Sequence, residues 1–297
     1  MVSPRDLLRG TDHVSLLTRT AAEEAGIIRF VVACGLDSEI DSRSMDLWSD
    51  SWGSPGFYQT HLGGKDSADP SRLFLDLKGG TEEDLFDTYR GKQIAVCEPC
   101  AITGMVTLSA ICPIGGVGYG GTVNGNTPII FAPDLPTVSE TIRACMVSRG
   151  PYGVPIWAAE QPSPLGKATT LNGMLAYMTF VPRQIHLVPP SDSGTCVLCA
   201  STAPLIRWMA FGPGTLPPKD QDFLDPFCIN KKRGGAVGAY PTNGQDVFDW
   251  ADLIGRRLAE FGRPEVLIGH SRAVAYVVVA NQAKIREIQR VKIQLAE

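Results

Sequence analysis

Cys97-Glu98-Pro99-Cys100 and, a short way on, Gly115-Gly116-Val117-Gly118-Tyr119-Gly120-Gly121 form the stretch from which the rest of the chain is read. A second C-x-x-C pair, Cys196-Val197-Leu198-Cys199, completes a set of four thiols. Two such knuckles supply the ligands of a tetrahedral structural zinc, because cysteines separated by two residues can turn both sulfurs toward one ion. Pro99 and Gly194 favour the tight turns this requires. The spacer between the knuckles far exceeds the roughly 15–20 residues of a zinc ribbon. A metal held by Cys97, Cys100, Cys196 and Cys199 is therefore expected to clamp two distant segments. The plainer alternatives are a redox dithiol or sulfurs packed in a core.

Composition bounds the rest. A chain of 297 residues, 44% hydrophobic and 20% charged, is long enough to bury a large core and has the balance of an ordinary soluble protein. No apolar run is long enough to span a membrane, and Met1-Val2-Ser3-Pro4-Arg5-Asp6 opens without a secretory apolar region. The expected compartment is the cytoplasm, where eight cysteines point to metal binding and buried thiols rather than disulfides. A net charge of −4 is wrong for a free-standing nucleic-acid binder, so either nucleic acid is not the ligand or basic partners hold most of it. The 31 glycines and 22 prolines are scattered without a repeat, which favours one irregular, loop-rich α+β domain over residues 1–297.

Local patterns place the elements. Helices are expected over residues 4–9, 20–36, 82–90, 137–148 and 245–261, with a shorter one near Trp48 and Trp52. Thr137-Val138-Ser139-Glu140 is a capping box, and Val247, Trp250, Ile254, Leu258 and Phe261 fall on one face of the 245–261 helix. Strands are expected at 57–61, twice within 171–188 around Pro182-Arg183, at 205–211, at 265–268 and near 277–280. Cys34 reads as a buried small hydrophobe, and His61 as a core or rim histidine.

Three motifs invite chemical readings. Gly116, Gly118 and Gly121 fit G-x-G-x-x-G, but Thr122-Val123-Asn124-Gly125-Asn126-Thr127-Pro128 cannot begin the helix a dinucleotide site needs. The glycines instead suit close backbone approach to another molecule. Gly269-His270-Ser271-Arg272-Ala273 approximates a nucleophile elbow, making Ser271 the candidate for a serine hydrolase; yet every histidine lies at or before His270, whereas that fold places its histidine after the serine. Asn281-Gln282-Ala283-Lys284 carries amides able to meet base edges and a lysine able to neutralise phosphate, or else is a polar turn between strands. Lys219, Lys231, Lys232 and Arg233 are loop cations for which phosphate contact and plain solvation both stand.

Taken together, Phe57-Tyr58-Gln59-Thr60, the two knuckles, the glycine run followed by Asn124-Gly125-Asn126-Thr127-Pro128, and Asn281-Gln282-Ala283 resemble the CasA family, the large subunit of the type I-E CRISPR Cascade complex. The resemblance runs from about residue 15 to the end, with the pieces in the family's order. It implies the fold of that subunit's N-terminal domain, no catalytic residues, and a structural zinc on the four cysteines. It also implies that the run Gly115 to Gly121 approaches the minor groove of a protospacer-adjacent motif in double-stranded target DNA. Asn281-Gln282-Ala283 would act as a wedge that opens the first base pairs, with Lys284 beside it. The implied partners are a guide RNA ribonucleoprotein, the other Cascade subunits, and a recruited helicase-nuclease or transposition factor; a zinc-stabilised scaffold without nucleic-acid contact is the rival reading. Three departures stand out. Lys219 is only a weak match to the family's lysine finger, the first strand is short or missing, and the family's C-terminal four-helix bundle has no counterpart beyond Ala283.

Overall fold

The computed structural model describes residues 18–39, 48, 57–59, 68–77, 93–113, 120–124, 127–147, 151–158, 170–214, 225–229, 249–281 and 284–295. The expected helices at 4–9 and 82–90, and His61, lie outside them.

Helix α1, Ala21–Leu36, starts where its sequence says it should. Thr20 accepts a hydrogen bond from the Glu23 backbone, and Glu23 and Glu24 place negative charge in the first turn. Eleven of the 16 residues of α1 are buried, including Cys34, whose thiol burial pushes up to about 12. It crosses α2, Glu98–Ala110, at Gly26, where a β-carbon would stand 2.7 Å from the Thr107 α-carbon. Glycine is therefore required there for the helices to approach so closely.

Among the described residues, three small antiparallel sheets accompany this helix pair. One has the order β1 (Val96–Cys97), β5 (Thr202–Ile206), β4 (Ser193–Thr195); a second pairs β3 (Arg183–Leu187) with β6 (Met209–Pro213). The third is β2 (Ile130–Pro133), β7 (Arg272–Asn281), β8 (Lys284–Gln294), with β7 in the middle. One continuous core joins Ile28 and Val32 of α1 and Met105 of α2 to Phe131 and Val277 of the third sheet. The remaining helices are α3 (Val138–Ala144), which carries the expected capping box on Thr137 and Glu140, α4 (Met174–Met178) and α5 (Trp250–Phe261).

Several expectations give way to packing. Phe57-Tyr58 sits in a turn, not a strand, because Tyr58 takes a φ of 61° so that its ring can join Phe30, Phe57 and Trp157. The first expected strand of 171–188 is helix α4, since Met174 to Met178 are all buried and alternation cannot be read from an unbroken apolar run. The expected strand at 205–211 is two, β5 and β6, interrupted at Arg207 and Trp208. Glu265–Leu267 is a single 3-10 turn after Pro264 rather than a strand. Only Ile254 of the α5 face is buried, and that helix starts at Trp250 with Asp249 as its cap.

Candidate metal centre and nucleic-acid interface

The metal centre is built by two unlike pieces of backbone. Cys97 ends β1 and is the N-cap of α2, and Pro99 in the first turn needs no amide partner, so Cys100 is carried on the opening turn of the helix. Cys196 and Cys199 come from the connection between β4 and β5, which Ala200 closes with a φ of 58° and a hydrogen bond to the Cys196 carbonyl, 3.0 Å. The pairing of Cys97 with Leu205 brings the pieces together, and the Cys97 amide donates to the Cys196 sulfur at 3.3 Å.

All four sulfurs lie within 4.8 Å of one another. The Cys97–Cys199 and Cys100–Cys196 separations are 3.6 and 3.8 Å. A tetrahedral ion with metal–sulfur bonds of about 2.3 Å spaces its ligands by about 3.8 Å, whereas a disulfide would need about 2.05 Å. The donor set and its spacing therefore fit one metal ion. Burial pushes the Cys97 thiol up to about 11, and burial with the neighbouring sulfurs pushes Cys100 higher still. At Cys199, exposed at the rim, burial also opposes ionisation but is outweighed by hydrogen bonds from Ser201 and from the Cys97 and Cys196 thiols, leaving it near 6. Metal binding must accordingly release protons.

A second set of residues lies on the approach to β2 and at the hairpin between β7 and β8. Ile130 pairs with Tyr276 and Pro133 with Ala273, antiparallel, so the chain entering β2 arrives from the end of the sheet where β7 finishes. There Asn281 pairs with Lys284 across the hairpin, and a bulge between Val279 and Ala280 increases the twist of the strands just before it. Gly120, Gly121 and the buried Thr122 and Asn124 lie on the segment leading toward β2. Gly115 to Tyr119, Lys219, Lys231 to Arg233, Gln282 and Ala283 are outside the described residues.

Reading the sequence missed the group that anchors this end. Arg29 and Asp225 form a fully buried ion pair, and the Asp225 carboxylate also accepts from the Asn124 amide at 2.9 Å and the Phe227 backbone at 3.0 Å. Arg29 further donates to the Tyr177 carbonyl at 3.0 Å. The signal was an arginine inside the apolar run Ile27-Ile28-Arg29-Phe30-Val31. Ser271, by contrast, follows a 3-10 turn and leads directly into strand β7, whereas a nucleophile elbow joins a strand to a helix.

An α+β protein whose distant segments meet at a four-thiol metal site is the class these observations define. The model of the family CRISPR-associated protein Cse1 matches residues 45–247, and the chain belongs to that family. Among solved structures, Thermus thermophilus CasA (Cse1) is similar with a TM-score of 0.62 at 18% identity, covering 97% of this chain and 70% of that one. The Cse1 protein of Acidimicrobium ferrooxidans gives 0.55 at 16%, covering 98% and 66%. A chain of a CRISPR RNA-guided surveillance complex, pre-nicking, gives 0.59 at 15%, covering 99% and 69%. At such identities the likeness is one of fold. No curated protein matches the sequence. No helix among the described residues is long and apolar enough to cross a membrane.

Proposed function

We propose that this chain is the DNA-recognition subunit of a CRISPR RNA-guided surveillance complex and is not an enzyme. In this reading the run Gly115 to Gly121 enters the minor groove of the protospacer-adjacent motif, and Asn281-Gln282-Ala283-Lys284 wedges apart the base pairs next to it. The observation that supports it most is membership of the CRISPR-associated protein Cse1 family over residues 45–247.

The chemistry agrees. A glycine backbone fits a groove about 6 Å wide without side-chain clash, and the minor-groove code is degenerate, so such a reader accepts several related motifs. Unstacking a step costs a few kcal/mol, which the guide–target heteroduplex offsets as it replaces the DNA duplex. No bond need be made or broken by this chain. The metal is zinc in a structural role, since four thiolates leave no open coordination position. A net charge of −4 assigns most phosphate neutralisation to the guide RNA ribonucleoprotein's other subunits, with Lys219 and Lys284 as local contributions. The recruited helicase-nuclease or transposition factor acts after DNA is opened.

The test is target-duplex binding by the reconstituted complex across a panel of flanking motifs. Gln282→Ala and replacement of the glycine run by alanines are each expected to abolish motif-dependent binding while assembly survives. Unchanged binding in both would leave a metal-clamped scaffold as the better account.

A further inference from the structure

The four thiols of the metal centre are not equally sheltered. Cys97 and Cys196 are buried and Cys100 is half-buried, whereas Cys199 is exposed, as are its neighbours Val197, Ala200 and Ser201. The remaining cysteines of the chain, Cys34, Cys112, Cys145 and Cys228, are all buried. Cys199 thus stands alone among the eight in facing solvent openly. Its sulfur lies 3.6 Å from that of Cys97, which comes 102 residues earlier in the chain. Backbone contacts that need no metal keep the two together. Cys97 pairs with Leu205, the Val197 amide donates to the Ala95 carbonyl at 3.2 Å, and the Cys196 amide donates to the Ser201 carbonyl at 2.9 Å.

We infer that Cys199 is a peroxide-sensitive modification site with Cys97 as its resolving thiol, so that oxidation there empties the metal centre; this rests on the zinc assignment made above. Redox-sensitive cysteines combine thiolate character, contact with solvent and a second thiol within reach. Coordination to a metal supplies the first, since a ligating thiol is deprotonated, and the structure supplies the other two. The Cys199 thiolate attacks one oxygen of hydrogen peroxide, breaking the O–O bond to give a sulfenic acid and hydroxide. The Cys97 thiolate then attacks the Cys199 sulfur, forming the disulfide and expelling a second hydroxide. Two protons from solvent turn both hydroxides into water, so peroxide gains two electrons and each sulfur gives up one. The sulfurs close from 3.6 Å to about 2.05 Å, a distance that side-chain rotation can cover. Cys100 and Cys196 alone cannot complete a tetrahedral thiolate set.

The experiment uses the purified full-length chain loaded with zinc and titrated with hydrogen peroxide, zinc release being followed with a chromogenic chelator. Disulfides are mapped by mass spectrometry after cleavage behind Glu98 and behind Leu198, which separates Cys97 from Cys100 and Cys196 from Cys199. The expected result is loss of the bound zinc together with a first disulfide between Cys97 and Cys199. Dithiothreitol should reverse both. The competing site is the C-x-x-C pair at the head of α2, a dithiol arrangement used by oxidoreductases. A first disulfide between Cys97 and Cys100, zinc release while Cys199 remains an alkylatable thiol, or oxidation that dithiothreitol does not reverse overturns the inference and leaves the metal site standing. A chain that takes up no zinc overturns the metal assignment itself and the inference with it.

Discussion

Two regions tie distant parts of this chain together by opposite means. At Cys97, Cys100, Cys196 and Cys199 the tie lies near the surface, with Cys199 exposed, and uses residues whose identity and spacing announce their purpose. At Arg29, Asp225 and Asn124 it lies in the core, with Arg29 and Asp225 separated by 196 residues, and uses residues that are ordinary anywhere else. The first would gain its strength from an ion that the four thiolates can hold. The second must recover, through Coulomb attraction and several hydrogen bonds, the cost of burying two charges. A surface clamp therefore fails when its ion is lost, and a buried one fails when either partner is.

The largest separation between the two should come from metal loss. Cys196→Ser is expected to remove one equivalent of zinc by elemental analysis and to lower the melting temperature by roughly 10 °C or more. Metal occupancy of the wild type is expected to fall as pH falls, because protons compete for thiolates of which Cys97 and Cys100 hold theirs strongly; metal release titrated against pH checks the sign. Next comes Asp225→Asn, which leaves the Arg29 charge buried without its counter-ion and should cost about 3–5 kcal/mol in urea unfolding, with zinc content unchanged. Pairing Arg29→Met with Asp225→Leu should recover part of that loss, since no lone charge then remains. Smaller still is Gly26→Ala, about 1–3 kcal/mol from forcing α1 off α2. Arg207→Ala, which removes an exposed pair with Asp192, should leave the unfolding midpoint unmoved.

The contrast also explains what could be read beforehand. The cysteine spacing foretold a clamp between remote segments, and Thr20, Thr137 and Glu140 marked helix starts, because these signals are local and chemical. The mixed α+β class followed from the same patterns, but of β7 only 277–280 was expected, and the strand runs from Arg272 to Asn281. Tyr58 misled because an aromatic-rich stretch favours strands, yet here a backbone in the left-handed region is held by three neighbouring rings. Arg183 and Asn124 carried no local mark: their partners, Pro113 and Gly120 for one and Asp225 for the other, are brought close only by the finished fold. At the glycine run and the 281–284 segment, family likeness supplied what spacing did not.

The position of β7 sets an order for biosynthesis. This strand is the middle of the third sheet, is fully buried over Ala273 to Val278, and carries Tyr276, whose hydroxyl donates to Glu24 of α1 at 2.8 Å. Helix α1 is synthesised well before β7, whose Tyr276 lies 252 residues after Glu24. Until Arg272–Gln294 has been made, β2 lacks the strand it pairs with among the described residues, and α1, already packed on α2, lacks its contacts with β7 and β8. A nascent chain of this kind depends on late, long-range closure, so its exposure to aggregation is set by the time taken to translate the middle of the molecule rather than by the stability of the finished fold.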